Sequence, residues 1–131
     1  MNINLTTAES EKFFYNALCN SLDYFRGYGF QLDYETEDYK QAKINWLDKN
    51  PGEIACIEDI YLQMLKDGKE LTFVDIENAG EYTRVITLAD VHSRVCKAPS
   101  QTLVAMNNGE DDAGDGDIIL QTVLFEEVIF G

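Results

Sequence analysis

The sequence predicts an α+β fold in which several helices pack on a small antiparallel sheet built around one β-hairpin, residues 71–87. Apolar residues recur at helical spacing in successive stretches of the chain. β-Branched and aromatic residues flank Glu77-Asn78-Ala79-Gly80, as the strands of a hairpin do. A hydrophobic content of 45% with 11% aromatics exceeds what a disordered acidic chain carries, so the charge must decorate a folded surface. The 131 residues fit a single globular domain, 1–131, that buries roughly two-thirds of its unfolded surface.

The elements follow in order. Thr6 with Glu9 forms a capping box, and Phe13, Phe14, Ala17, Leu18, Leu22 and Phe25 then repeat on one face until Gly27 and Gly29, which predicts a long amphipathic helix. Phe30 to Tyr34 alternates as a short strand. Thr36 is the expected cap of a second helix carrying Tyr39, Ala42, Lys43 and Trp46. Asn50-Pro51-Gly52 breaks the chain before Ile57, Ile60, Tyr61, Met64 and Leu65, a third helix that exposes Glu58 and Asp59 and stops at Gly68. Leu71 to Ile76 and Tyr82 to Thr87 are the hairpin strands. Thr87 with Asp90 caps a short helix through Val91 and Val95 that must end before Pro99, and another short helix covers Thr102 to Met106. Residues 107–117 are polar, acidic and glycine-bearing, hence a loop. The apolar run Ile118 to Phe125 fits either a helix or a buried strand, and the acids at its start favour the helix.

Charge is the strongest functional signal. Twenty-four acidic side chains stand against ten basic ones, a formal net charge of −14, and the seven carboxylates after Lys97 face no base in sequence. Such a chain repels nucleic acid and anionic lipid and attracts basic partners or divalent cations. The first residues lack a basic region followed by an apolar stretch, and no run reaches the roughly 18 apolar residues of a membrane span. Cys19, Cys56 and Cys96 are odd in number and widely spaced. Together these features predict a cytoplasmic protein with reduced thiols.

Several constellations bear on chemistry. The 107–117 loop gathers carboxylates and glycines, so Asp111, Asp112, Asp115 and Asp117 are the candidate ligands of a calcium site. Aligned as an EF-hand on Gly116, however, the third position is Ala113 and the twelfth is Thr122, where carboxylates are needed. His92 and Cys96 share a helix face and complete a Cys3His count with Cys19 and Cys56, but without the close ligand pairs of structural zinc. Cys19 and Cys56 are expected as small buried thiols of the core. A small enzyme using Cys96 and His92, or paired carboxylates, lacks an orienting group and an oxyanion site in the sequence, so a non-catalytic protein is expected. No phosphate-cradling glycine motif and no basic patch with aromatics occurs, so neither a nucleotide cofactor nor direct nucleic-acid binding is expected. Asp59-Ile60-Tyr61-Leu62-Gln63 and Asp117-Ile118-Ile119-Leu120-Gln121 echo one another as two core helices that begin with an acid.

Tyrosines interleaved with acids in Asp33-Tyr34-Glu35-Thr36-Glu37-Asp38-Tyr39 suit a protein interface, because tyrosines anchor while carboxylates steer. The competing reading turns Tyr39 inward at a charged helix start. The candidate protein-binding residues are Tyr34, Glu35, Glu37, Asp38 and Tyr39, with Glu110, Asp111 and Asp112 from the second acidic stretch.

Ile57-Glu58-Asp59 through Asp67-Gly68, Leu71-Thr72-Phe73-Val74-Asp75, and the ending from Asp117-Ile118-Ile119-Leu120-Gln121 to Phe130-Gly131 resemble small uncharacterised proteins of bacterial phages and mobile elements. That resemblance brings no activity or catalytic residue with it. Because small acidic phage proteins include inhibitors of host nucleases and defence systems, it implies an accessory protein. The expected function is an acidic protein-interaction domain that binds a basic or nucleic-acid-binding protein, in the manner of a DNA mimic. A mimic must match a duplex charge spacing of about 1.7 Å of axis per phosphate. The alternatives are a calcium-binding domain and a small enzyme.

Overall fold

The computed structural model describes residues 4–131, which form six α-helices and one three-stranded antiparallel sheet. Helix α1 (Thr7–Gly27) begins at the Thr6 box: the Thr6 hydroxyl accepts from the Glu9 N–H at 3.1 Å and the Glu9 carboxylate from the Thr6 N–H at 2.9 Å. Then come β1 (Phe30–Asp33), α2 (Thr36–Lys49), α3 (Ile57–Lys66), β2 (Leu71–Asp75) and β3 (Arg84–Ile86). Helix α4 (Leu88–Arg94) runs into a 3-10 turn at Val95–Lys97, and α5 (Ser100–Asn107) and α6 (Ala113–Phe125) complete the order. Among the described residues no helix is long and apolar enough to cross a membrane.

The sheet order is β1-β2-β3. Phe30 pairs with Asp75 and Leu32 with Phe73 on one side of β2, while Leu71 pairs with Ile86 on the other. The two-residue period sends Phe30, Leu71, Phe73 and Ile86 into the core and leaves Gln31, Asp33 and Val85 exposed. Phe25 of α1 meets Phe30 and Phe73 edge-on, with ring centroids 5.5 and 5.7 Å away, which locks the end of the helix to the sheet. Phe13, Phe14 and Leu18 of α1 and Ile119, Leu120 and Val123 of α6 belong to the same buried cluster.

Three boundaries differ from the sequence expectation. Glu35, not Thr36, occupies the cap position of α2, and its side chain makes no capping bond. Pairing between the hairpin strands ends at Phe73 with Arg84, so the connection is longer than a four-residue turn. The Asp75 carboxylate is the reason: it accepts from the N–H groups of Glu77, Asn78 and Tyr82 at 3.0–3.1 Å and replaces the last rung of the ladder. Burial pushes this carboxyl up, but those backbone bonds and the Asn78 amide outweigh it and hold it below the ordinary aspartate range. Finally, residues 113–117 are the first turn of α6 and not a loop, because Asp112 and Asp115 form a second capping box, with N–H to carboxylate distances of 3.1 and 2.9 Å.

Gly116 sets how closely α1 and α6 approach. A Cβ there would lie 2.1 Å from Ser21 Oγ and 3.3 Å from the Ala17 Cα, while the Ser21 hydroxyl donates to the Ala113 carbonyl at 2.7 Å. Gly116→Ala therefore lowers unfolding stability by about 2 kcal/mol, read as a lower urea midpoint at unchanged slope. Combining it with Ser21→Ala, which removes the oxygen in its way, recovers part of that loss; a strictly additive double mutant would contradict the close contact.

Candidate functional site

The β1–α2 corner holds the candidate site. Antiparallel pairing places Asp33 beside Thr72, and the chain turns through Tyr34 and Glu35 directly into α2, so Asp38 follows one helical turn later. The segment Gly68-Lys69-Glu70 leads into β2 on the opposite side. These pieces line a groove of about 550 Å³ whose charged walls are Asp33, Glu35, Asp38 and Glu70 against a single base, Lys69. Lys69 reaches Asp38 at 3.8 Å and is otherwise half-exposed. Across the groove the excess is therefore three carboxylates.

The tyrosines of this corner are partly internal. Tyr34 and Tyr39 stack with centroids 5.1 Å apart, and both lean on Tyr61 of α3 at 5.6 and 6.3 Å. Burial raises the phenols of Tyr39 and Tyr61 above the ordinary range, so both stay protonated. Tyr39 turns inward, as one of the two sequence readings had it, while Tyr34 remains a lining residue of the groove. Glu37 is exposed beside Lys40 at 3.4 Å and does not line the groove. Asp33 and Glu70, absent from the sequence-derived set, do line it. Asp33 opens the same acidic segment, but no local motif marks Glu70, and only the pairing of β1 with β2 brings the two together.

Glu110, Asp111 and Asp112 lie at the α5–α6 junction and none of them lines that groove, so the two acidic stretches do not form one pocket. The candidate calcium ligands are not gathered into one cluster. Asp112 and Asp115 are committed to the capping box, and Asp117 points into the protein. Among the described residues no group of three or more His, Cys, Asp or Glu side chains could hold a metal ion. The Cys3His set is likewise dispersed. His92 bonds to Glu11 at 2.9 Å and Cys96 to the Ser93 carbonyl at 3.5 Å. Cys19 and Cys56 are exposed, not core thiols, because Cys19 lies off the apolar stripe of α1 and Cys56 precedes α3 as its cap residue. Cys56 faces Asp59 at 3.0 Å and Tyr15 at 3.6 Å, and burial, followed by the nearby carboxylate, raises its thiol above the ordinary range. A protonated thiol beside a carboxylate is a poor nucleophile.

A buried polar relay also escaped the sequence reading. The Tyr28 hydroxyl donates to Asp117 at 2.9 Å, and Gln121 Nε2 donates to the same carboxylate at 3.1 Å and to the Phe130 carbonyl at 3.2 Å. Gln121 Oε1 accepts from the N–H groups of Ile129 and Phe130 at 2.8 and 2.9 Å, which ties the C-terminal segment to α6. Burial and the Asp117 bond push Tyr28 up to about 12. Burial also raises Asp117, against the opposing pull of the Tyr28 and Gln121 bonds, and its Oδ1 has no hydrogen-bond partner.

No protein-family model, curated protein or solved structure matches the chain.

Because the folded-state pKa of Asp117 lies above its unfolded value, the folded state holds this proton more tightly. The group's contribution is fully present below the unfolded pKa and is lost as pH rises through the folded one. Asp117→Asn keeps both accepted bonds and removes the buried charge, so its melting temperature gains on that of the native chain between about pH 3 and pH 7. Parallel melting curves across that range would contradict the assignment.

Proposed function

We propose that this chain is a non-catalytic protein-interaction domain whose acidic groove at the β1–α2 corner docks a basic, nucleic-acid-binding protein, competing with that partner's nucleic acid as a DNA mimic does. The observation that supports it is the groove itself, with Asp33, Glu35, Asp38 and Glu70 facing only Lys69. Five of the ten bases are already held by carboxylates elsewhere, Arg26, Lys40, Lys66, Arg94 and Lys97, and Lys69 is paired within the groove with Asp38. The net field is therefore negative, and it focuses where low-dielectric walls enclose unpaired acids. A partner rich in Arg or Lys gains encounter rate and register from such a site, and phosphate-binding side chains are of that kind. The resemblance to small phage and mobile-element proteins fits an accessory inhibitor acting in the cytoplasm.

Capture on the immobilised chain from a bacterial lysate at low salt, read by mass spectrometry, recovers basic nucleic-acid-binding proteins that elute as salt rises. Reversing the two exposed walls together, Glu35→Lys with Glu70→Lys, weakens that retention by about tenfold with an unchanged melting curve. Retention that ignores both ionic strength and the reversal would sink the proposal.

A further inference from the structure

The groove is continuous with an unpaired strand. Gly29 accepts from the Ile76 N–H at 2.9 Å, and the register continues through Gln31 with Val74 and Asp33 with Thr72. Antiparallel bonding alternates, so Gln31 and Asp33 spend their backbone groups on β2, while Phe30 and Leu32 turn N–H and C=O toward the outer edge of β1. Strand order leaves that edge without a paired strand among the described residues, though Phe30 is only 4% exposed, so an added strand would reach it through the neighbouring cavity. No proline, lysine or bulge guards it, in contrast to the usual protection of edge strands. β3, the opposite edge, is only three residues long and begins with Arg84.

A cavity of about 390 Å³ opens along the same edge of β1, walled by Leu22, Phe25, Leu32, Tyr61 and Phe73. Arg26, on its rim, is already paired with Asp23 at 2.9 Å. A peptide strand added to β1 would place alternate side chains on opposite faces. Those opposite Phe30 and Leu32 enter the cavity, whose lining mixes these apolar side chains with Gln31 and Arg26, and those opposite Gln31 and Asp33 face the side where Asp33 lines the acidic groove.

We infer that β1 binds an extended segment of the basic partner by strand addition, and that the segment alternates apolar residues with Lys or Arg. This deepens the docking function proposed above and rests on it. Main-chain bonds to Phe30 and Leu32 supply register, the cavity takes the apolar side chains, and Asp33, Glu35 and Glu70 take the cations.

Two fluorescein-labelled hexapeptides test it by anisotropy with the full chain at about 50 mM salt: one alternating lysine with valine, and the same peptide N-methylated at every valine. Methylation removes the N–H groups that would face Phe30 and Leu32 and leaves charge and side chains intact. Strand addition predicts at least tenfold weaker binding of the methylated peptide, together with slowed exchange of the Phe30 and Leu32 amides on adding the parent peptide. Equal binding of the two overturns strand addition and leaves charge-driven docking standing. If neither binds, strand addition is overturned, and polylysine titrated under the same conditions then decides the docking proposal separately. A dimer in sedimentation whose Phe30 and Leu32 amides are protected before peptide is added makes a second copy the occupant and also overturns it.

Discussion

Gly116 of α6 rests against Ala17 and Ser21 of α1, and no larger residue would fit without moving one helix away from the other. From that approach the rest of the interior follows. Once α6 lies this close, Ile119, Leu120, Val123 and Leu124 are driven into the cluster formed by Phe13, Phe14 and Leu18. The residue after the glycine, Asp117, is then carried inside with them and has to find partners there. Tyr28 and Gln121 provide them, and Gln121 in turn holds the main chain at Ile129 and Phe130. Phe130 consequently stacks on Tyr28 at 5.0 Å and meets Phe30 and Tyr82 edge-on, which joins the C-terminal segment to the sheet. A single missing methyl group thus fixes a helix pair, a buried carboxylate and the path of the last residues.

The same architecture sorts the acidic charge into two kinds. Glu9, Asp59, Asp112 and Asp115 accept backbone N–H groups at the starts of α1, α3 and α6, where they satisfy orphan donors and complement the helix dipole. Asp75 does comparable work in the hairpin connection, and Glu126 is held by Lys97. These carboxylates belong to the fold. Glu35 and Glu70 pair with no base, and Asp33 accepts only the Tyr34 N–H at 3.0 Å, so their mutual repulsion meets no cation but Lys69. Charge that a fold does not use for itself is the charge a partner can use.

How far the sequence revealed this depends on the range of each interaction. The Thr6–Glu9 box, the apolar stripe of α1 and the alternation of Leu71, Phe73 and Asp75 are local patterns, and each maps onto its element. Residues 113–117 read as a loop because glycines and acids break helical periodicity. They are a helix start because Asp112 and Asp115 form a capping box that glycines on both sides obscure, and Gly116 is there for its approach to Ala17 and Ser21 nearly a hundred positions earlier. The candidate site was half legible for the same reason. Asp33, Tyr34, Glu35 and Asp38 stand in one acidic segment, whereas Glu70 enters only through the turn that feeds β2. Tyr39 shows the limit of composition: a tyrosine among acids suggests exposure, yet stacking on Tyr34 and Tyr61 holds it inward.

An open edge strand is ordinarily a hazard, since any strand with free N–H and C=O groups can pair with it, including a second copy of the same chain. Here the sign of the surrounding field separates the possible occupants. Two copies meeting at β1 would bring Asp33, Glu35 and Glu70 of both chains toward one another on top of a net charge of −14 each. A basic segment meets the same field with the opposite sign. Because screening acts over about 8 Å at physiological salt, this discrimination works only for carboxylates at the edge itself, not for those at helix caps across the molecule. Placing unpaired acids beside the unpaired strand therefore does what a guarding lysine or proline does elsewhere. It opposes self-pairing, and unlike those guards it leaves the backbone groups of Phe30 and Leu32 without a strand partner.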